Sequence, residues 1–197
     1  MSAPTRLRFV GARRGHGTTT VALAVASHAA DIGQRVTVVV DDLDDACAVC
    51  GVPTPGDVGP VLVATRLTLA PLGSAIDVDS DLVIEDIGIV DDDLVSGITV
   101  LVVRGPDYLS LRTAAMHPVR AHGVVVIREP WRALGPADVV SVLGIPVIAE
   151  IPHSADVARA IDAGLLVCRA ASMRPFKRLH RLVTDGSHPA VLPLTAA

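Results

Sequence analysis

The chain of 197 residues has little lysine, few aromatic residues and no long apolar run. No stretch reaches the roughly 18 apolar residues that a membrane span needs, and Met1–Arg8 lacks the apolar core of a signal peptide. These absences predict a cytoplasmic protein. The net charge of −4 excludes nucleic-acid binding by the whole surface, so any contact with a polyanion must be local. Of 17 basic side chains only Lys177 is a lysine, and the rest are arginines.

Cysteine is scarce as well. Three cysteines cannot form a disulfide framework. Cys47 and Cys50 make a single CxxC pair, for which a redox site or half of a metal site is one interpretation. Because no second CxxC and no histidine at ligand spacing accompany the pair, we favour small buried thiols.

Valine, alanine, leucine and isoleucine supply the apolar half of the chain, in short runs that alternate between strand and helix patterns. This alternation predicts an α/β fold, a doubly wound and mostly parallel sheet with helices on both faces. We expect one domain over residues 1–184 and a loose tail over 185–197. The predicted strands are 6–10, 35–40, one or two within 61–70, 82–87, 98–103, 124–127 and 146–151. The predicted helices are 18–32, 91–95, 107–121, 136–143, 154–163 and 175–183, with a loop over 47–60.

A glycine-rich turn, Gly11–Ala22, connects the first predicted strand to the first predicted helix. Glycines let backbone N–H groups crowd around an anion, and the helix N-terminus adds partial positive charge. The three threonines after Gly17 offer hydroxyls for N-capping or for a metal ion. The P-loop pattern is Gly, four residues, then Gly-Lys-Ser/Thr. Gly17 and Thr19 fit it, whereas Ala12 replaces the first glycine and Thr18 replaces the lysine that meets the β- and γ-phosphates.

Acidic residues follow two further predicted strands. Four aspartates follow the second strand, and Asp86 lies near the end of the strand over 82–87. Because ligands of open α/β sheets bind at the carboxyl ends of the strands, we expect these groups beside the glycine-rich turn. An acidic residue at the end of an apolar strand after a P-loop matches the Walker B position, which holds Mg²⁺. By itself the cluster is better explained as a solvated turn; its members are Asp41, Asp42, Asp44 and Asp45.

Taken in order, these motifs resemble the MinD/ParA family of deviant Walker ATPases. Arg13–Thr20 stands where that family has Lys-Gly-Gly-x-Gly-Lys-Thr-Thr, and Asp42–Asp44 stands at its Asp-x-Asp. Asp86 matches the Walker B aspartate, and 102–107 resembles the strand and loop that follow it. Residues 151–164 resemble the family's segment near the adenine. The resemblance covers about residues 6–166 and implies a three-layer P-loop sandwich that binds ATP and Mg²⁺.

The resemblance also implies a role for each matching residue. Asp44 would position the attacking water, and Arg13 would replace the signature lysine that reaches the partner's phosphates in an ATP-sandwich homodimer. Mg²⁺ would be held by Thr19, Asp42 and Asp86. Nucleotide contacts are expected from Arg14, Gly15, His16, Gly17, Thr18, Thr19, Thr20 and Pro152. Without the P-loop lysine, three outcomes are open: Arg13, Arg14 or His16 compensates, the nucleotide binds but is hydrolysed slowly, or the site is vestigial.

Basic residues concentrate in the last predicted helix, with Phe176, Leu179 and Val183 at helical spacing. Three interpretations compete. The helix could pack on the sheet with a solvated basic face, bind DNA phosphates without sequence preference, or lie on a membrane surface. We rank DNA above membrane, because the helix is short and has one aromatic residue. The candidate DNA-contacting residues are Arg174, Lys177, Arg178 and Arg181.

The resemblance therefore predicts a ParA-like protein that positions a plasmid, phage genome or chromosome through nucleotide-gated dimerisation and nonspecific DNA binding. Such a protein would work with a small DNA-binding partner. The alternative is a pseudo-ATPase scaffold of the TadZ/CpaE or MinD kind that positions a cellular machine with little hydrolysis. A third hypothesis is an active ATP hydrolase of the same fold.

Overall fold

The computed structural model describes residues 3–56, 59–74, 79–89, 97–116, 120–170 and 173–184. Within them, eight strands form one sheet in the order β3-β4-β2-β5-β1-β6-β7-β8. All neighbouring strands run parallel except β3 and β4. The strands are β1 Thr5–Gly11, β2 Val36–Val40, β3 Val61–Ala64, β4 Leu67–Pro71, β5 Leu82–Ile89, β6 Ile98–Arg104, β7 Gly123–Arg128 and β8 Val147–Pro152.

Helices cover both faces of this sheet, which confirms the predicted doubly wound fold. Phe9 of β1 faces the larger core, whereas Val10 faces a second core packed by α3 and α4. None of the described helices is long and apolar enough to cross a membrane. The helices are α1 Thr18–Asp31, α2 Leu43–Cys50, α3 Tyr108–Met116, α4 Pro136–Leu143, α5 Ala155–Asp162, α6 Leu166–Ala170 and α7 Arg174–Thr184.

The sheet interior follows from runs of β-branched residues. All five residues of β2, Val-Thr-Val-Val-Val, are buried, as a strand covered on both faces requires. Helix α1 lies against the middle of the sheet and is buried over most of its length. The buried Ser27 hydroxyl donates to Val167 O at 2.5 Å, which fastens α1 to α6. The glycine-rich turn before α1 is therefore held at the centre of the fold.

Two predicted boundaries were wrong, and one short helix was missed. The loop assigned to 47–60 begins with helix, because α2 runs from Leu43 to Cys50 and Gly51 (φ +70°) ends it. Helix α3 is described over Tyr108–Met116, and Arg120 and Ala121, which were assigned to the same helix, are not helical. Helix α6 was not predicted. Cys47 and Cys50 are buried free thiols on α2. The predicted helix over 91–95 and the tail over 185–197 lie outside the described residues.

Candidate functional site

The turn between β1 and α1 leaves the N-terminus of α1 without a side-chain cap. Gly17 is the N-cap residue, with φ +79°, and the first turn of the helix holds no acidic residue. The expectation that a threonine caps this helix was therefore wrong. A Cβ on Gly17 would approach Ile127 Cδ1 to 3.1 Å, so both the backbone conformation and the neighbour favour glycine. Free amides and the helix dipole together make this end of α1 suitable for an anion.

Thr18 lies inside this turn. Its side chain is buried, with 6% of its surface exposed. A Cβ on Gly11 would lie 2.7 Å from Thr18 Oγ1 and from Gly88 O, so the threonine packs against the end of β1. The position of the missing lysine is therefore filled by a short, uncharged group.

Asp86 of β5 lies beside this turn, between Phe9 of β1 and Val40 of β2. It is 4% exposed, and its Oδ1 is buried with no hydrogen-bond partner among the described residues. Burial raises its pKa to about 6; the Asp41 carboxylate adds to this rise, and a hydrogen bond from the Thr19 hydroxyl opposes it. A desolvated carboxylate with an unsatisfied oxygen has the chemistry of a cation ligand.

Asp86 and Thr19 therefore fit Mg²⁺, which in nucleotide sites uses one or two protein oxygens together with phosphate and water. Within the described ranges, no group of three His, Cys, Asp or Glu side chains could hold a metal ion without such help. A Mg²⁺ ion at this position would depend on the nucleotide.

The aspartates after β2 have different surroundings: Asp42 and Asp44 belong to the start of α2, whereas Asp41 lies near Asp86. Asp42 Oδ1 accepts from the Asp45 N–H at 2.9 Å and caps α2, and Asp44 lies exposed in the first turn of that helix. Asp41 is the residue whose charge acts on Asp86, and its Oδ2 lies 3.8 Å from where a Cβ on Gly88 would be. Sequence reasoning assigned the site to Asp42 and Asp44 and missed Asp41. Because β2 ends at Val40, directly opposite Asp86, strand register was the signal that could have found it.

His16 does not supply the missing charge. Its imidazole is 7% exposed, with Nδ1 3.4 Å from Val102 O and from Arg104 N, and Nε2 3.3 Å from Ser110 Oγ. Desolvation by burial lowers its pKa, although a hydrogen bond with the Val102 backbone opposes this effect. His16 is therefore neutral at pH 7 and serves to join the turn to β6 and α3.

The three residues before His16 are exposed: Arg13, Arg14 and Gly15. Arg13 is near enough to His16 and to Asp107 for its charge to act on both. The exposed position of Arg13 is compatible with contact across a dimer.

A cavity of about 140 Å³ opens beside the start of α1. Gly17 and Thr20 from the start of α1 line it, together with residues from the end of β8 and from α5. Most of its lining is apolar, which suits a planar ring. The lining residues are Gly17, Thr20, Val21, Arg104, Ile127, Ile151, Pro152, His153, Ser154, Val157, Ala158, Ile161 and Phe176.

Helix α7 contributes Phe176 to this cavity. The predicted amphipathic pattern is confirmed for its described side chains, because Phe176 and Leu179 are buried against the larger core. On the outer side, Arg174, Arg178 and Arg181 are exposed and Lys177 is half-buried. The basic face and the cavity are therefore two sides of one helix.

No protein-family model and no curated protein sequence matches this chain. Several solved structures do. MinD from Pyrococcus horikoshii in complex with Mg-ADP has a TM-score of 0.73 at 15% identity, over 92% of this chain and 96% of that chain. A ParA family ATPase from Chlorobium tepidum has a TM-score of 0.71 at 17% identity, over 92% of this chain and 98% of that chain. Cyanothece McdA in complex with ATP has a TM-score of 0.65 at 12% identity, over 94% and 98%.

These likenesses confirm the predicted resemblance at the level of fold. The sheet order places β1 between β5 and β6, with the glycine turn, Asp86 and the cavity at the carboxyl ends of the strands. At 12–17% identity the similarity concerns architecture. The chain thus has the three-layer fold of the MinD- and ParA-type ATPases.

Proposed function

We propose that this chain is a cytoplasmic, nucleotide-dependent positioning protein of the ParA type, which binds ATP or ADP with Mg²⁺. The observation that carries the proposal is the buried, unsatisfied Asp86 oxygen beside the uncapped N-terminus of α1. A site for a cation and a site for an anion lie next to each other, as a Mg²⁺–phosphate pair requires. Two of the similar structures were solved with Mg-ADP or ATP.

Each residue would act through the group it presents. Amides around Gly15 and Gly17 would surround the phosphates, and the Thr19 hydroxyl and Asp86 would bind Mg²⁺ directly or through water, with Asp42 or Asp41 in its outer shell. The metal would neutralise phosphate charge. Thr20 and Pro152 both line the cavity and would contact the base. Arg13, which is exposed, would reach the phosphates of a second copy, and Asp44 would orient a water molecule.

We propose that α7 links the nucleotide to DNA. Phe176 lines the cavity from the same helix that presents Arg174, Arg178 and Arg181 to solvent. Among the described residues, no carboxylate lies within ion-pair distance of these three arginines. A ligand that packs against Phe176 would stabilise the position of α7. A homodimer would then present two such basic faces to the phosphates of DNA. It would work together with a small DNA-binding partner protein.

Calorimetry with Mg-ATP and Mg-ADP tests the first step. We expect wild type to bind and Asp86→Ala to lose the Mg²⁺-dependent part of the affinity. Binding of neither nucleotide by wild type would refute the proposal.

A duplex of random sequence tests the second step. With ATP we expect binding that weakens with salt, and a salt slope smaller by about four for the Arg178→Gln/Arg181→Gln variant, because the homodimer loses two arginines from each protomer. Arg112→Gln is the matched control, because Arg112 is an exposed arginine on α3, on the other face of the sheet. An equal loss in the control, or no DNA binding with or without ATP, would contradict this step.

One observation favours the second candidate, a pseudo-ATPase scaffold. The uncharged Thr18 is packed at the position of the lysine, so little stabilisation of a transferring phosphate comes from the turn itself. Dimerisation that is indifferent to nucleotide and to Asp44→Ala would support the scaffold. Turnover that Asp44→Ala abolishes would support an active hydrolase.

A further inference from the structure

Arg104, at the end of β6, is the only residue with a fixed positive charge among the described residues that line the cavity. The side chains around it are mostly apolar, with Ile127 nearby and Phe176 on the α7 side. An arginine facing an otherwise neutral cavity is suited to an anionic group of whatever binds there.

A buried carboxylate holds the Arg104 side chain in place. Its Nε donates to Glu129 Oε1 at 2.9 Å, and Glu129 is 8% exposed. The carboxylate lies against Gly105, where a Cβ would collide with it and where φ is +44°. Burial by itself raises the pKa of Glu129, but hydrogen bonds from Arg104 and Arg132 bring it below the usual value. Glu129 is thus charged at pH 7, and it holds the guanidinium through Nε. The other donors of the guanidinium form no hydrogen bond with a described side chain.

The backbone of Arg104 is tied to the glycine turn. Its N–H points to His16 Nδ1 at 3.4 Å, and the next amide, of Gly105, donates to Ile127 O at 2.7 Å. Gly17, which directly follows His16, lines the same cavity as the Arg104 side chain. The backbone that carries the guanidinium is therefore in contact with the turn.

We propose that Arg104 contacts the phosphate chain of a nucleotide in this cavity and so replaces the lysine absent at position 18. The assignment rests on the proposed nucleotide binding. It places the compensating charge on β6, whereas the sequence pattern directed attention to Arg13 and Arg14, which are exposed. Neither of those two forms an ion pair with a described carboxylate that would orient it toward the cavity.

The test is binding of Mg-ATP, Mg-ADP and adenosine to wild type, Arg104→Gln and Arg104→Lys, by calorimetry and, for adenosine, by ligand-observed NMR. We expect Arg104→Gln to weaken ATP and ADP by about tenfold or more and to leave adenosine unchanged, because only the phosphates lose a charge-assisted contact. Arg104→Lys should recover part of the loss. Arg132→Gln is the matched control, since Arg132 donates to the same Glu129 (Nε to Oε2, 3.2 Å) without lining the cavity.

The outcomes separate this assignment from the proposed function. Wild type that binds neither ATP nor ADP overturns both. Wild type that binds them while folded Arg104→Gln binds equally well overturns the assignment alone. An equal loss for ATP and adenosine, or an equal loss in Arg132→Gln, shows that Arg104 only supports the structure and also overturns the assignment.

Discussion

Replacing Asp86 with asparagine should stabilise the ligand-free protein at neutral pH. In the unfolded chain this carboxyl titrates near 3.8, and in the folded chain burial raises its pKa to about 6. The folded state therefore holds the proton more tightly than the unfolded state. The corresponding stability is present in full below about pH 4 and is lost as the pH rises to about 6. Because asparagine cannot ionise, Asp86→Asn avoids that loss.

The pKa values set the size of the effect. A difference of about two pKa units corresponds to about 3 kcal/mol at pH 7.5, at about 1.36 kcal/mol for each unit. The measurement is urea denaturation of wild type and Asp86→Asn from about pH 4 to 8, without Mg²⁺ or nucleotide, followed by circular dichroism. The difference between the two proteins isolates this carboxyl, because the other titrating groups are common to both. It should grow from near zero at pH 4 to a plateau above pH 6.

Addition of Mg-ADP should reverse the order. Ligand at about 1,000 times its Kd adds about 4.1 kcal/mol to a protein that binds it, and we expect wild type to gain this while Asp86→Asn gains much less. A stability difference that does not change with pH, or a variant less stable than wild type at pH 7.5 without ligand, would refute the account of Asp86 as a charge buried for a cation.

Two further predictions concern the cavity and the glycines. Trp131, the single tryptophan, contacts the ring of His153 at 5.2 Å on the cavity wall, so its emission should change as ADP saturates the protein; an unchanged spectrum at saturation would contradict occupancy of this cavity. Gly51→Ala should cost at least about 2 kcal/mol more in urea denaturation than Gly15→Ala. Both glycines have φ near +70–77°, but a Cβ at 51 collides with the Gly164 carbonyl, whereas at 15 it meets nothing within 4 Å.

Strand positions and the glycine-rich turn between β1 and α1 could be predicted because they depend on local patterns. Runs such as Val36–Val40 are apolar on every residue, and this is typical of strands buried on both faces. Asp86 could be singled out from the sequence for the same reason, because a charged residue near the end of an apolar run is easy to recognise. The doubly wound fold followed from the order of such segments.

The details of the site depend on contacts between distant segments. Asp41 and Asp42 look alike in sequence, and only the pairing of Val40 with Asp86 brings Asp41 close enough for its charge to act on Asp86. His16 reads as a polar loop residue, yet Ser110 lies 94 positions away in the chain. Because no local sequence pattern reports a contact between residues so far apart, the burial of His16 could not be predicted. Helix α2 was missed because it spans only eight residues, directly before a segment rich in glycine and proline.

The central position of β1 has a consequence for synthesis of the chain. Its two neighbours, β5 and β6, begin only at Leu82 and Ile98, so β1 emerges from the ribosome long before either hydrogen-bonding edge can be satisfied. The nascent chain must keep this strand, with both of its edges unpaired, from pairing with other chains until residue 104 has been made. Fragments that end before Leu82 should aggregate, and the glycine-rich turn should acquire its shape only after β5 and β6 have been made.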